Sequence, residues 1–184
     1  MGNYIWQISQ FHEEVESGGK FEFIRAKNME NIVNIKTIQE NEITLLSECL
    51  RELAHHHNMV SINFSGYYPR KSCTDVLESF CEQLKTGTTC IVVLQENDNI
   101  VGFCKCDTDV ESKQGKLDYL MVLSPYRGKG YGGMLMDWAM KYFSEKGITQ
   151  IEVKVVAGNE AIHLYEKYGF KINAHILWRT YMEQ

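Results

Sequence analysis

The chain has 184 residues, enough for one domain or one domain with an arm. Hydrophobic residues make up 44% and charged residues 23%, a globular balance that excludes wholesale disorder. Nineteen basic against 24 acidic residues leave a net charge of −5, which argues against a nucleic-acid partner, and no apolar run approaches the roughly 18 residues of a membrane span.

The opening MGNYIWQISQ lacks a basic stretch followed by an apolar core, so no secretory signal is visible. Met1-Gly2 begins a myristoylation pattern, but Trp6 stands where Ser or Thr is wanted. Residues 1–30 are weakly patterned and read as an N-terminal arm, with a short strand-like run at Phe21–Ile24; residues 31–184 form the domain. Ile32 to Ile38 alternates as a strand. Asn41 offers an N-cap, and Ile43, Leu46, Leu50 and Leu53 predict an amphipathic helix to about His56. Residues 58–71 are irregular, broken by Gly66 and Pro69. Ser72-x-x-Asp75 resembles a capping box for a second helix, striped by Val76, Leu77, Phe80 and Leu84 and ended by Gly87.

Then the pattern turns to β. Thr88–Gln95 and Ile100–Cys106 flank Asn97-Asp98-Asn99, a hairpin. A polar loop leads to a third strand over Lys116–Leu123. A helix follows, with Leu135, Trp138, Ala139, Tyr142 and Phe143 inward and Lys146-Gly147 as its stop. Ile151–Val156 reads as a strand, and Gly158-Asn159 as the cap of a last helix whose one face is Ala161, Leu164, Tyr165 and Tyr168. Gly169 ends it, and Phe170–Tyr181 reads as a final strand.

Six cysteines (49, 73, 81, 90, 104 and 106) form neither C-x-x-C nor zinc spacing, so they read as free thiols of a cytoplasmic protein. His55-His56-His57 cannot converge on one ion, because consecutive residues fan around a helix; near its C-terminus they are better placed as dipole partners.

Between the third strand and its helix lies Arg127-Gly128-Lys129-Gly130-Tyr131-Gly132-Gly133. Glycines admit positive φ and close approach, a helix N-terminus offers unpaired N–H groups, and Arg127 and Lys129 add cations. That chemistry suits a pyrophosphate. No glycine here precedes Lys-Ser or Lys-Thr, so the Walker A loop is excluded. Gly128, Gly130 and Gly133 satisfy G-x-G-x-x-G, with Glu152 nineteen residues after Gly133. A dinucleotide fold still fits poorly. Only about 50 residues remain after the motif, the preceding strands form a hairpin, and Glu152 falls at the start of its strand.

Arg127-Gly128-Lys129-Gly130-Tyr131-Gly132 after strand Lys116–Leu123 resembles the [Q/R]-x-x-G-x-[G/A] loop of the GNAT-superfamily N-acetyltransferases. Asn159 to Phe170 (NEAIHLYEKYGF) is similar to that superfamily's Asn, small apolar, Tyr and Gly-Phe segment, with Ala161-Ile162 at the small apolar position. The likeness covers about residues 30–175 in element order and is specific over 116–170. The family's proline, three before the arginine, is Ser124 here, with Pro125 next.

The resemblance implies an α/β fold: a mixed, mostly antiparallel central sheet flanked by helices, with strands 4 and 5 splayed. It implies acetyl-CoA as co-substrate, with main-chain N–H groups of Arg127, Gly128, Lys129, Gly130, Tyr131, Gly132 and Gly133 on the pyrophosphate. The strand edge Met121, Val122, Leu123 would pair with the pantetheine arm, with an N–H near Val122 polarising the thioester. Asn159 would bond the same arm. Tyr165 matches the general acid, and Asp118 sits where many relatives carry the base; Tyr119 and Glu152 are weaker candidates, and a water chain could serve instead. The acceptor, a small-molecule or peptide primary amine, would meet residues 55–72, with Tyr67, Tyr68 and Arg70, and Trp178. Tyr67-Tyr68 could stack on a cation. A non-catalytic acyl-CoA sensor on the same fold is the rival reading, and a homodimer is left open.

Overall fold

In the computed structural model, residues 32–179 are described; the N-terminal arm and its Phe21–Ile24 run lie outside them. Five strands form one sheet in sequence order: β1 (Val33–Thr37), β2 (Thr89–Glu96), β3 (Asn99–Asp109), β4 (Gln114–Val122) and β5 (Gln150–Val153). The first three pairings are antiparallel and β4–β5 is parallel. The β2–β3 hairpin closes as its sequence demands, with Asn97 and Asp98 at φ 50° and 65°, the sign that a two-residue turn between twisted strands needs.

Helices cover both faces. On one, α1 (Ser47–Val60) and α2 (Cys73–Lys85) bury Cys49, Leu50 and Phe80 against Ile91, Val93, Phe103 and Met121. On the other, α3 (Tyr131–Glu145) and α4 (Ile162–Lys167) bury Leu135, Met136, Ala139, Phe143 and Tyr165 against Val92, Cys104, Cys106 and Leu117. Trp138 and Tyr142, expected inward, are half-buried and stack on each other at 5.3 Å. Ser72 caps α2 as its spacing predicts, its Oγ accepting from Asp75 N–H at 3.1 Å. Among the described residues no helix is long and apolar enough to cross a membrane.

Five expectations need correction. The first helix does not start at Asn41: Gln39 begins a 3-10 turn over Glu40–Leu46, its N–H given to Glu42 Oε2 at 3.1 Å, and α1 follows. That helix runs to Val60, beyond His56, because nothing before Ser61 breaks it. The fourth strand of the chain starts at Gln114, extending the polar hairpin, while β5 stops at Val153. The final strand is absent over residues 171–179, which follow α4 without regular structure. Ile172, Ile176 and Leu177 there are exposed, so the alternating pattern has no sheet face to bury.

Candidate active site

The site begins with a register fault. Lys105 stands opposite Tyr119 and Cys106 opposite Leu117, so Asp118 is an extra residue in β4. Such a bulge bends its strand. The parallel pairing of β4 with β5 ends one residue earlier, at Leu117↔Val153. From Asp118 to Val122 the β4 edge therefore lies open toward the segment that follows β5, and both line a cleft. This is the splay that the resemblance implies.

Past β4, Ser124–Tyr126 makes a 3-10 turn and the glycine loop follows. Gly128 and Gly130 take φ 78° and 87°, a region that costs other residues about 1–2 kcal/mol. A Cβ at either would meet nothing within 4 Å, so the outer side of the loop is open. The first helical bond of α3 runs from Met134 N–H to Gly130 C=O at 3.1 Å. The N–H groups of Tyr131, Gly132 and Gly133 precede it without an acceptor inside the helix. Open glycines and unclaimed donors fit a diphosphate.

The cations of the loop behave differently from expectation. Arg127 turns inward: its Nε donates to Val122 C=O at 2.9 Å, and its Nη atoms reach Glu52 at 3.4 Å and His56 Nδ1 at 3.3 Å. Lys129 reaches Glu96 at 3.3 Å, and the buried Tyr131 phenol donates to the same carboxylate. Burial, then Glu96, raises the Tyr131 hydroxyl above its ordinary value. These side chains brace the loop and leave anion recognition to the main chain. Glu52 and Glu96 escaped the sequence reading, and His56 was read there only as a dipole partner of its helix. Glu52 and His56 are four apart, hence on one helix face, which was the available signal. Glu52 also accepts Ser124 N–H at 2.6 Å.

Tyr165 is carried by α4, which meets the start of α3. A Cβ at Gly132 would lie 3.3 Å from Leu164, and Tyr168 Oη donates to Gly133 C=O at 3.1 Å, so α4 packs on the first turn of α3. The Tyr165 ring is buried edge-on to Phe170 at 6.0 Å and lines the cleft. Burial, helped by the Cys104 thiol, pushes its hydroxyl up to about 12. Asn159 is not the expected cap, since Ala161 is the N-cap of α4 and no side chain caps it; Asn159 Oδ1 accepts Ala161 N–H at 3.0 Å in the turn before the helix, and its side chain also bonds the His56 ring. Burial first and Arg127 second hold His56 below its ordinary value. It is thus a neutral ring bridging α1, the glycine loop and Asn159.

Asp118 is placed differently from the other candidates. Lys105, fully buried beneath the Phe80 ring, reaches it at 2.9 Å and Asp107 at 2.6 Å, and Lys116 pairs with its other oxygen. Burial pushes the Asp118 carboxyl up, but the two lysines outweigh it and hold it below its ordinary value. Its task is to neutralise Lys105 at the bulge, and a carboxylate so held is a weak proton acceptor. Tyr119 packs between Phe80 and Phe103. Glu152 is exposed and pairs with Lys154 at 3.4 Å. His163 is exposed beside Glu166. Among the described residues no cluster could hold a metal ion.

The far end of the cleft is built from side chains. Asn58 on α1 clamps Tyr68, donating to its C=O at 2.6 Å and accepting its N–H at 2.8 Å. The Arg70 guanidinium lies 3.3 Å from the Trp178 ring centre, 5.2 Å from Tyr67 and 5.5 Å from Tyr68. The cation stacked by the tyrosines is the chain's own. Between the two ends, Ile62 N–H donates to Ala157 C=O at 3.1 Å, and a Cβ at Gly158 would lie 2.2 Å from Val60 C=O, so only glycine lets the two segments close there.

Residues 53–170 match the model of the acetyltransferase (GNAT) family. A prophage-derived uncharacterized N-acetyltransferase, YokL of Bacillus subtilis, is 30% identical over 141 residues, three quarters of each chain. The bS18-alanine N-acetyltransferase of Haemophilus influenzae is 35% identical over 77 residues, which are 42% of this chain and about half of that protein. The solved structure of the PaiA N-acetyltransferase of Thermoplasma acidophilum, in complex with coenzyme A, superposes with a TM-score of 0.62 at 18% identity, covering 77% of this chain and 91% of that one. With its splayed β4–β5 pair and glycine loop, matched over well over half its length, this chain belongs to the acetyltransferase (GNAT) family.

Proposed function

We propose that this chain transfers the acetyl group of acetyl-CoA to a primary amine of a small molecule or peptide, and that residues 31–184 are the transferase domain behind an N-terminal arm. The observation that carries the reading is the open β4 edge ending in unclaimed N–H groups at the mouth of α3, with a buried phenol on α4. The Arg127 N–H, expected on the diphosphate, instead donates to Ser124 C=O at 3.2 Å, so the N–H groups from Gly128 to Gly133 take the diphosphate, and the main chain of Met121, Val122 and Leu123 takes the pantetheine arm as an added strand. Asn159 lies beside the same path. A main-chain donor near Val122, aimed at the thioester oxygen, would contribute on the order of 2.7–4 kcal/mol to the transition state.

The amine nitrogen forms its bond to the carbonyl carbon as the carbon–sulfur bond breaks. The nitrogen loses one proton and the sulfur gains one. Tyr165 is protonated at neutral pH, and burial raises it further, so it has a proton to give to the sulfur. Asp118, clamped by two lysines, takes no part in this; the amine enters neutral and sheds its proton to water. The free cysteines are compatible with a reducing, cytoplasmic setting.

Thiol release from acetyl-CoA in the presence of an amine panel tests the reading. Tyr165→Phe should lower kcat about 100-fold while acetyl-CoA still binds, the loss expected for a general acid. Full turnover in the variant would remove Tyr165 from the mechanism. Absence of amine-dependent thiol release with every amine and peptide would remove the transferase.

A further inference from the structure

Arg70 is the feature that the acetyl-transfer reading leaves unused. Its guanidinium is stacked on Trp178 and flanked by Tyr67 and Tyr68, so its position is fixed by three aromatic rings. Tyr68 is in turn held by Asn58 and lies edge-on to His57 at 5.1 Å. Among the described residues, no carboxylate and no carbonyl takes any of the Arg70 N–H donors. Arg127, by contrast, spends its donors on Val122, Glu52 and His56. Arg70 lines the cleft, and its neighbour Lys71, also exposed and lining it, is a second cation without an ion pair among the described residues. A chain with a net charge of −5 thus presents, at this end of its cleft, two cations without an ion pair among the described residues.

A planar fork already stacked on rings has lost its rotamer freedom and keeps its donors in the geometry that suits a carboxylate. A cage meant for a cationic acceptor would be empty; this one is filled by the chain's own cation. We propose that Arg70 is a specificity-determining residue that binds a carboxylate on the acceptor, so that the acceptor is an amine bearing a carboxylate: an amino acid or a short acidic peptide.

This inference rests on the acetyl-transfer reading, and matched acceptor pairs separate the two. Lysine and cadaverine, or ornithine and putrescine, differ only by the carboxylate. With thiol release as readout, kcat/KM should favour the carboxylate-bearing member roughly 10–100-fold, the range of a charge-assisted bidentate contact. In Arg70→Met that ratio should collapse toward one through KM for the carboxylate acceptor, and Arg70→Lys should restore part of it. A panel that extends to aspartyl and glutamyl peptides covers the peptide arm. If diamines outpace amino acids and peptides and Arg70→Met improves them, the rings are a cage for the substrate's cation and the proposal falls, while acetyl transfer stands. If every acceptor pair shows equal kcat/KM, Arg70 has no role in selection. If no acceptor releases thiol, it is acetyl transfer that fails, and this inference with it.

Discussion

At one end of the cleft, Gly128, Gly130 and the first turn of α3 offer main-chain N–H groups, while at the other Tyr67, Tyr68, Arg70 and Trp178 offer side chains alone. The first end is carried by a strand, a turn and a fifteen-residue helix, with the loop's cations folded back as braces. The second is carried by an irregular loop and residues 171–179, held by one asparagine and a stacked guanidinium. A main-chain site is tied to backbone conformation and tolerates little change at its glycines. A side-chain site can be rebuilt residue by residue on the same scaffold, which is why one fold serves many acceptors.

The sharpest way to test this contrast is to give the loop a branched side chain. Gly130 is the N-cap of α3 at φ 87°. In Gly130→Val the left-handed backbone strain of about 1–2 kcal/mol is joined by methyl groups pointing into the open side of the loop. KM for acetyl-CoA should rise about 100-fold, with KM for the amine little moved. Steady-state kinetics with either substrate varied checks it. An unchanged acetyl-CoA KM would mean that the diphosphate is not held by these N–H groups.

How far the sequence showed this follows the same division. The glycine loop, its helix, the hairpin turn at Asn97-Asp98 and the Ser72 cap were legible because each is a local rule: a φ that glycine or asparagine tolerates, an oxygen at an N-cap. Tyr165 and Asn159 were singled out only through the resemblance of the segment from Asn159 to Phe170 to the family's. The bulge at Asp118 was not, since it appears only when Lys105 and Cys106 are set opposite β4. Nor was the ion pair of Asp118 with a lysine thirteen residues away in sequence. The end of β5 and the unpaired residues 171–179 depend on which edge is available, and alternation in the sequence carries no such information.

A smaller effect separates the two histidines that face these ends. Burial, with His56 adding to it, pushes His57 down to about 4, whereas an unfolded histidine stays near 6.5. The unfolded chain therefore binds the extra proton first. The contribution to stability is whole above about pH 6.5 and is lost as pH falls toward 4. Allowing for the solvent that still reaches the ring, the loss is about 2 kcal/mol. Urea unfolding of wild type and His57→Gln across that range measures it: the variant should show a flatter pH dependence. Equal slopes would place the acid sensitivity elsewhere, and His56, bonded to Arg127 and Asn159 at the loop end, would be the next histidine to replace.

The mildest change addresses the acceptor end alone. Asn58→Ala removes both hydrogen bonds that hold the Tyr68 backbone. At about 0.5–1.5 kcal/mol net for each, and with water able to replace part of them at a half-buried site, the fold should lose about 1 kcal/mol, a Tm change of a few degrees. The kinetic consequence is the more telling. Tyr68 is one of the rings around Arg70, so a loosened Tyr68 should raise KM for the acceptor several-fold while KM for acetyl-CoA stays within about twofold. If both KM values rise together, the two ends are coupled through the Ile62–Ala157 contact where the segments after α1 and β5 meet, and the division between a main-chain end and a side-chain end is one of construction and not of function.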